Sequence, residues 1–295
     1  MNTPRKAIGI GAALVLGLSF LPALAAEQTP AEPPQQSPAP QQSPAPQQAP
    51  SGIWESLIKP AFFKDKPIVE DKTVIELTTP YRAEDAALVP ISINAKLPQT
   101  PEKYIKTIHI FVDENPVPHA ASFHLTPELG RADLAMRVRV DKYTNIRAIA
   151  ELNSGELHMV SNYVKAQGGC SAPPAGDRQA ALAKRGEMRF KTLPNEADKT
   201  LALGQLMISH PNLTGMQLDQ QTRAFIPPHF LKTLEVSLDG KPIMTAETDI
   251  TISEDPAFRF FFRGIKGGKL TAKAVDSKGE EYTKTFDIAE PASGS

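Results

Sequence analysis

Cysteine is nearly absent from this chain, with one residue, Cys170, in 295. A lone thiol closes no internal disulfide, so the fold must hold by packing, and the cysteine itself is either a free thiol or an intermolecular partner. No sign of charge dominates: 32 Lys and Arg stand against 33 Asp and Glu, a net charge of -1. Without a block of like charge there is no electrostatic footprint of a nucleic-acid binder. Histidine is sparse, and the six residues His109, His119, His124, His158, His210 and His229 are scattered over both halves. That scatter gives no clustered ligand set for zinc and no local signature of a Cys-His dyad. A blue-copper loop is expected to place a histidine and a methionine soon after its cysteine, and Ser171 to Arg178 contains neither. No metal and no cofactor are therefore expected. Nothing after the first residues reaches the ~20 apolar residues of a spanning helix.

The N-terminus is the one long apolar run. Arg5 and Lys6 precede Ala7 to Leu21, then come Pro22 and a small-x-small site at Ala23-Leu24-Ala25. This reads as a cleavable secretory signal peptide over residues 1–25, which predicts export to the periplasm and no membrane contact after cleavage. Residues 26–52 are rich in Pro, Gln, Ala and Ser, with Gln35-Gln36-Ser37-Pro38-Ala39-Pro40 repeated as Gln41-Gln42-Ser43-Pro44-Ala45-Pro46. So little apolar bulk does not offset the entropy of ordering, and a disordered linker is expected.

Beyond the linker, Trp54, Leu57, Ile58 and Phe62 recur at near-helical spacing and predict a short amphipathic helix. The period then falls to two. Val89, Ile91, Ile93 and Ala95 alternate with polar neighbours, as do Leu134, Met136, Val138 and Val140 with Ala135, Arg137, Arg139 and Asp141. Residues 146–152 and 157–164 flank Asn153-Ser154-Gly155, a hairpin signature; Asp239-Gly240 and Ser277-Lys278-Gly279 repeat it later. Phe258, Phe260 and Phe262 form one strand face and are expected in a core. Short strands without intervening long helices predict an all-β chain of two immunoglobulin-like antiparallel sandwiches in tandem. The expected division is a first sandwich at 53–167, an arm and connector with a short helix at 168–190, a second sandwich at 191–290 and a tail at 291–295. Asp177 is the expected N-cap of the connector helix and Gly186 its stop.

The connector holds the chemistry. Gly168 and Gly169 precede Cys170, and Ser171-Ala172-Pro173-Pro174 follows. Residues that neither pack nor pair frame the thiol, so an accessible sulfur on a carrier arm formed by Gly168, Gly169 and Ser171 is expected. Lys165 and Arg178 are the nearby cations expected to favour the thiolate. His119, His210 and His229 sit beside prolines and are expected to be turn residues completing local hydrogen bonds. No residue is expected to be catalytic.

VKAQGGCSAP from Val164, together with ISHPNLTG from Ile208, FIPPHFLKTLEVSLDGKPI from Phe225 and the strand FRFFFRG from Phe258, resembles the SoxY and SoxZ subunits of a sulfur carrier joined end to end. YRAEDAALVPISI from Tyr81, DENPVPHAASF from Asp113 and MRVRVDKYTNIRAIAE from Met136 are similar to the fused SoxYZ-like carriers associated with quinoprotein dehydrogenases. The resemblance covers nearly all of residues 53 to 290. It implies a non-enzymatic periplasmic carrier, with Cys170 as the covalent attachment point for sulfur intermediates. The partners it implies are proteins of a sulfur-oxidation or quinoprotein (PQQ) dehydrogenase system. The alternative is a docking or assembly module for such a dehydrogenase with a redox-active thiol. One departure stands out: in free-standing SoxY the arm ends the chain, whereas here a second domain follows.

Overall fold

The computed structural model describes residues 52–288, apart from 175–177, 194, 196–197, 199 and 265–266. The expected signal peptide, most of the Pro/Gln-rich linker, the Asp177 cap and the tail at 291–295 lie outside the described residues. Among the described residues, no helix is long and apolar enough to cross a membrane.

The first half forms eight strands: β1 (Ile68–Glu70), β2 (Ile75–Thr78), β3 (Val89–Ala95), β4 (Ile105–Val112), β5 (His119–Leu125), β6 (Leu134–Val138), β7 (Thr144–Leu152) and β8 (Leu157–Val164). The second half forms seven: β9 (Met188–Leu193), β10 (Leu201–Ile208), β11 (Leu231–Leu238), β12 (Lys241–Thr248), β13 (Ala257–Arg263), β14 (Lys269–Asp276) and β15 (Glu281–Asp287). The all-β expectation holds, and the alternation does what it promised. Val89, Ile91, Ile93 and Ala95 are buried along β3, and Phe258, Phe260 and Phe262 along β13. The hairpin turns have the backbone their residues require: Gly155 has φ 90°, and Asp239 and Gly240 have φ 47° and 78°.

The two halves share their sheets. One nine-stranded sheet runs β1-β8-β7-β4-β5-β12-β11-β14-β15, and one six-stranded sheet runs β2-β3-β6-β13-β10-β9. The joins are β5 on β12, with Phe123 opposite Ala246, and β6 on β13, with Leu134 opposite Phe260. Edge strands are unpaired donors and acceptors that seek a partner. Here the edge of each sandwich finds it in the other. A continuous apolar core follows the joined sheets, and Phe123 meets Phe258 edge-on across the seam at 5.8 Å.

The N-terminal helical turn, Trp54–Ile58, continues as α1 (Lys59–Phe63) and covers the outer face of the nine-stranded sheet. Trp54, Ile58 and Phe63 pack on Phe111, Ile149, Leu157 and Met159, while Leu57 points to solvent. Beneath them the buried Arg147 guanidinium pairs with Asp113 at 3.0 Å and lies 4.6 Å from the Trp54 ring. The connector carries α2 (Arg178–Ala183), ended near Gly186 at φ 82°.

Candidate functional site

β6 ends at Val138, and the next three residues leave the ladder to make the floor of the site. Arg139 N–H donates to Thr251 O and Val140 N–H to Ala86 O, each at 2.8 Å. Asp141 N–H donates to Asn115 Oδ1 at 2.8 Å, while Asn115 Nδ2 donates back to Arg139 O at 2.8 Å. This orientation leaves two carbonyls facing the arm: Val140 O accepts from Gly169 N–H and Asp141 O from Gly168 N–H, each at 2.9 Å.

The two glycines are needed for different reasons. Gly168 has φ 81°, a left-handed backbone that side chains resist, with open space where a Cβ would be. Gly169 is a close approach: a Cβ there would stand 2.1 Å from Ala86 O and 2.7 Å from Val140 O. The arm therefore lies flat on the floor, and Ser171 Oγ closes the turn onto Gly168 O at 3.3 Å.

The second half supplies the other side of the clamp. Thr214 Oγ–H, in the His-Pro-Asn-Leu-Thr-Gly loop after β10, donates to Cys170 O at 2.6 Å. Arg139 bridges both halves, donating from Nη1 to Gly169 O at 3.1 Å and from Nη2 to Asn212 O at 3.4 Å. Arg139 is buried and its Nε has no hydrogen-bond partner. Burial holds its pKa below the ordinary arginine value.

Cys170 is fully buried in this clamp, which corrects the expectation of an accessible thiol. Gly168 supplies the left-handed turn and Gly169 the close backbone approach that draws the sulfur in. Burial pushes the thiol up to about 12, the Asp141 carboxylate adds to the rise, and Arg139 offsets part of it. Of the expected cations, the Lys165 ammonium sits 4.9 Å over the Tyr81 ring, and the Arg178 side chain lies outside the described residues. Of the site residues expected from sequence, Gly168, Gly169, Cys170 and Ser171 form one turn. Arg139, Asn115 and Thr214 were not legible as members of it.

A second correction concerns the histidines. His210 and His229 were expected to be turn residues completing local hydrogen bonds, with no clustered ligand set. The structure buries both beside Asp276, with ligand-type atoms of all three within 4.8 Å of one another. His229 Nε2 lies 2.7 Å from Asp276 Oδ2, and His210 Nε2 lies 3.7 Å from the same oxygen. The Tyr282 hydroxyl donates to Asp276 Oδ2 at 2.7 Å, and the N–H groups of Lys278 and Glu280 donate to Oδ1. The expected local hydrogen bonds are also present, from His119 to Ser122 Oγ and between His210 Nδ1 and Asn212 Oδ1, each at 2.8 Å.

Two family models match the chain in sequence order: "Sulfur oxidation protein SoxY" over residues 59–170 and "Sulphur oxidation protein SoxZ" over residues 190–287. The first match ends on Cys170 itself. Among solved structures, the sulfur carrier protein SoxY from Chlorobium limicola f thiosulfatophilum is 28% identical, covering 37% of this chain and 88% of its own at a TM-score of 0.31. A superoxide reductase (neelaredoxin) from Ignicoccus hospitalis is 13% identical, covering 31% of this chain and 79% of its own at a TM-score of 0.29. No curated protein matches the chain. The polypeptide thus joins a SoxY domain, closing on Cys170, to a SoxZ domain whose loop grips the Cys170 carbonyl.

Proposed function

We propose that this chain is a non-enzymatic sulfur carrier of the periplasm, holding a sulfur intermediate covalently on Cys170 and presenting it to partner proteins of sulfur oxidation. The observation that carries the reading is the placement of the single thiol in a glycine turn gripped by both a SoxY and a SoxZ domain.

The buried thiol is the resting form. With its pKa pushed up to about 12 by burial, the seated thiol stays protonated at pH 7, whereas an unburied cysteine near ~8.5 is ionised at the per cent level. Loading therefore requires the arm to lift. Lifting breaks four bonds: those of Gly168 N, Gly169 N, Gly169 O and Cys170 O. At ~0.5–1.5 kcal/mol net each, that is roughly 2–6 kcal/mol, within what a docking partner supplies. On the lifted arm the thiolate attacks the terminal sulfur of a donor persulfide. A Cys170–sulfur bond forms, the donor's sulfur–sulfur bond breaks, and the donor leaves as a thiolate, with no external oxidant consumed. Gly168 is the hinge for this motion.

A second reading, a docking module, is favoured by an open groove of about 970 Å³ on the outer face of the six-stranded sheet, a quinoprotein dehydrogenase as its partner being what the sequence resemblance implies. Arg137, Lys184, Arg189 and Arg259 line it against Glu187 and Asp255, and it crosses the seam between the halves.

Intact and peptide mass spectrometry of the protein taken from its native compartment, with and without reductant, tests the proposal. Carriage predicts reducible sulfur additions on Cys170 that vanish in Cys170→Ser. An unmodified thiol while the pathway is active, with partner capture undiminished in Cys170→Ser, would transfer the assignment to docking.

A further inference from the structure

We propose that His210, His229 and Asp276 form a binding site for a divalent first-row metal ion, Zn²⁺ being the probe that fits the donor set, in the SoxZ domain.

The inference starts from the two ring nitrogens of His210. Nδ1 is held by Asn212, with its Oδ1 at 2.8 Å and its backbone N–H at 3.1 Å. Asn212 is itself fixed, donating from Nδ2 to Ile252 O at 3.3 Å and to Ser253 O at 3.1 Å and accepting at Oδ1 from Leu231 N–H at 3.1 Å. The other nitrogen, Nε2, is buried, has no hydrogen-bond partner and lies 3.7 Å from Asp276 Oδ2.

A cation between those atoms satisfies both. Metal-binding histidines have one ring nitrogen held by a fixed partner while the other faces the ion. His229 and Asp276 complete a set of two imidazoles and one carboxylate, which suits Zn²⁺ with an open fourth position. Asp276 is held by the N–H groups of Lys278 and Glu280 and by the Tyr282 hydroxyl. His229 Nε2 now hydrogen-bonds to Asp276. Binding moves its proton to Nδ1 and turns the rings inward, since ligand atoms up to 4.8 Å apart must close towards the spacing set by ~2.0–2.1 Å bonds. His229, at 8% exposure, is the side from which an ion enters.

The test uses the full chain in the Cys170→Ser background, so that the thiol binds no metal. After chelator treatment, Zn²⁺ is added, the protein is desalted and the retained metal is counted. The expectation is about one Zn²⁺ per chain, a loss of affinity of at least tenfold in both His210→Gln and Asp276→Asn, and no change in His158→Gln. As the first two substitutions also remove structural bonds, nitrogen-15 NMR of the otherwise native histidines is read alongside. Zn²⁺ should shift the His210 and His229 ring nitrogens and leave those of His109, His124 and His158 in place. Retention below a tenth of an equivalent, equal retention in the two ligand variants, or shifts confined to other histidines would overturn the site.

Discussion

Thr214 donates to the carbonyl of the residue that carries the thiol, at 2.6 Å. Thr214→Val keeps the shape and removes the donor, leaving Cys170 O without that partner. A net loss near ~1–1.5 kcal/mol raises the population of the lifted arm about tenfold. The expected outcome is a roughly tenfold faster alkylation of Cys170 by iodoacetamide in the folded protein, with the rate in denaturant unchanged, because labelling tracks the open population when opening is fast. An unchanged folded-state rate would mean that Thr214 does not restrain the arm. At this scale the sequence disclosed the reactive atom and its turn, since a lone cysteine between Gly-Gly and Pro-Pro is conspicuous. It did not disclose Arg139. Period-two alternation puts Arg139 on the polar face, but β6 ends at Val138 and the rule lapses one residue before it is needed. Asn115 and Thr214 were equally silent, as polar residues in turns whose partners lie far away in sequence. The burial of Cys170 depends on those partners, so the accessible thiol was the wrong inference from the right motif.

The arm tests two roles of glycine within one element. Gly169→Ala forces a methyl group onto Ala86 O and Val140 O, so the turn cannot stay seated. Gly168→Ala meets open space and is strained only through its φ of 81°, about 1 kcal/mol. Alkylation of Cys170 is therefore expected to accelerate by 100-fold or more in Gly169→Ala and by no more than about tenfold in Gly168→Ala. The reverse order would show that the hinge, and not the close approach, keeps the thiol in. Elements were legible where one face is wet. β3, β13 and β14 alternate cleanly, and the tight turns at Gly155 and Asp239-Gly240 announce themselves by residue type. β5 was not legible, because His119–Leu125 is buried almost throughout, pressed between α1 on one face and the core on the other. β1 is three residues in a parallel pair, too short to show a period. In β10, Gly204 interrupts the pattern where a Cβ would come within 2.8 Å of the Phe190 ring.

Two tandem sandwiches can be inferred from alternating strands; two sandwiches sharing both sheets cannot, because edge pairing is invisible to local period. The seam decides how the molecule unfolds. With β5 on β12, β6 on β13 and one core running through both, separating the halves would expose four strand edges and the Phe123–Phe258 contact. The cost of such edges favours all-or-none unfolding over independent domains. Phe123 sits on the seam, fully buried, so Phe123→Ala removes packing from both halves at once, at about 3–5 kcal/mol. Trp54, the sole tryptophan, reports on the first half, and amide exchange along β14 reports on the second. Chemical denaturation should show one transition in both signals, displaced together to lower denaturant in Phe123→Ala. If the Trp54 signal moved while β14 amides kept their native protection, the halves would be independent domains and the seam a weak contact. Joint movement would make the clamp on Cys170 a property of the whole fold, since Thr214 and Arg139 hold the arm only while the seam keeps them facing each other.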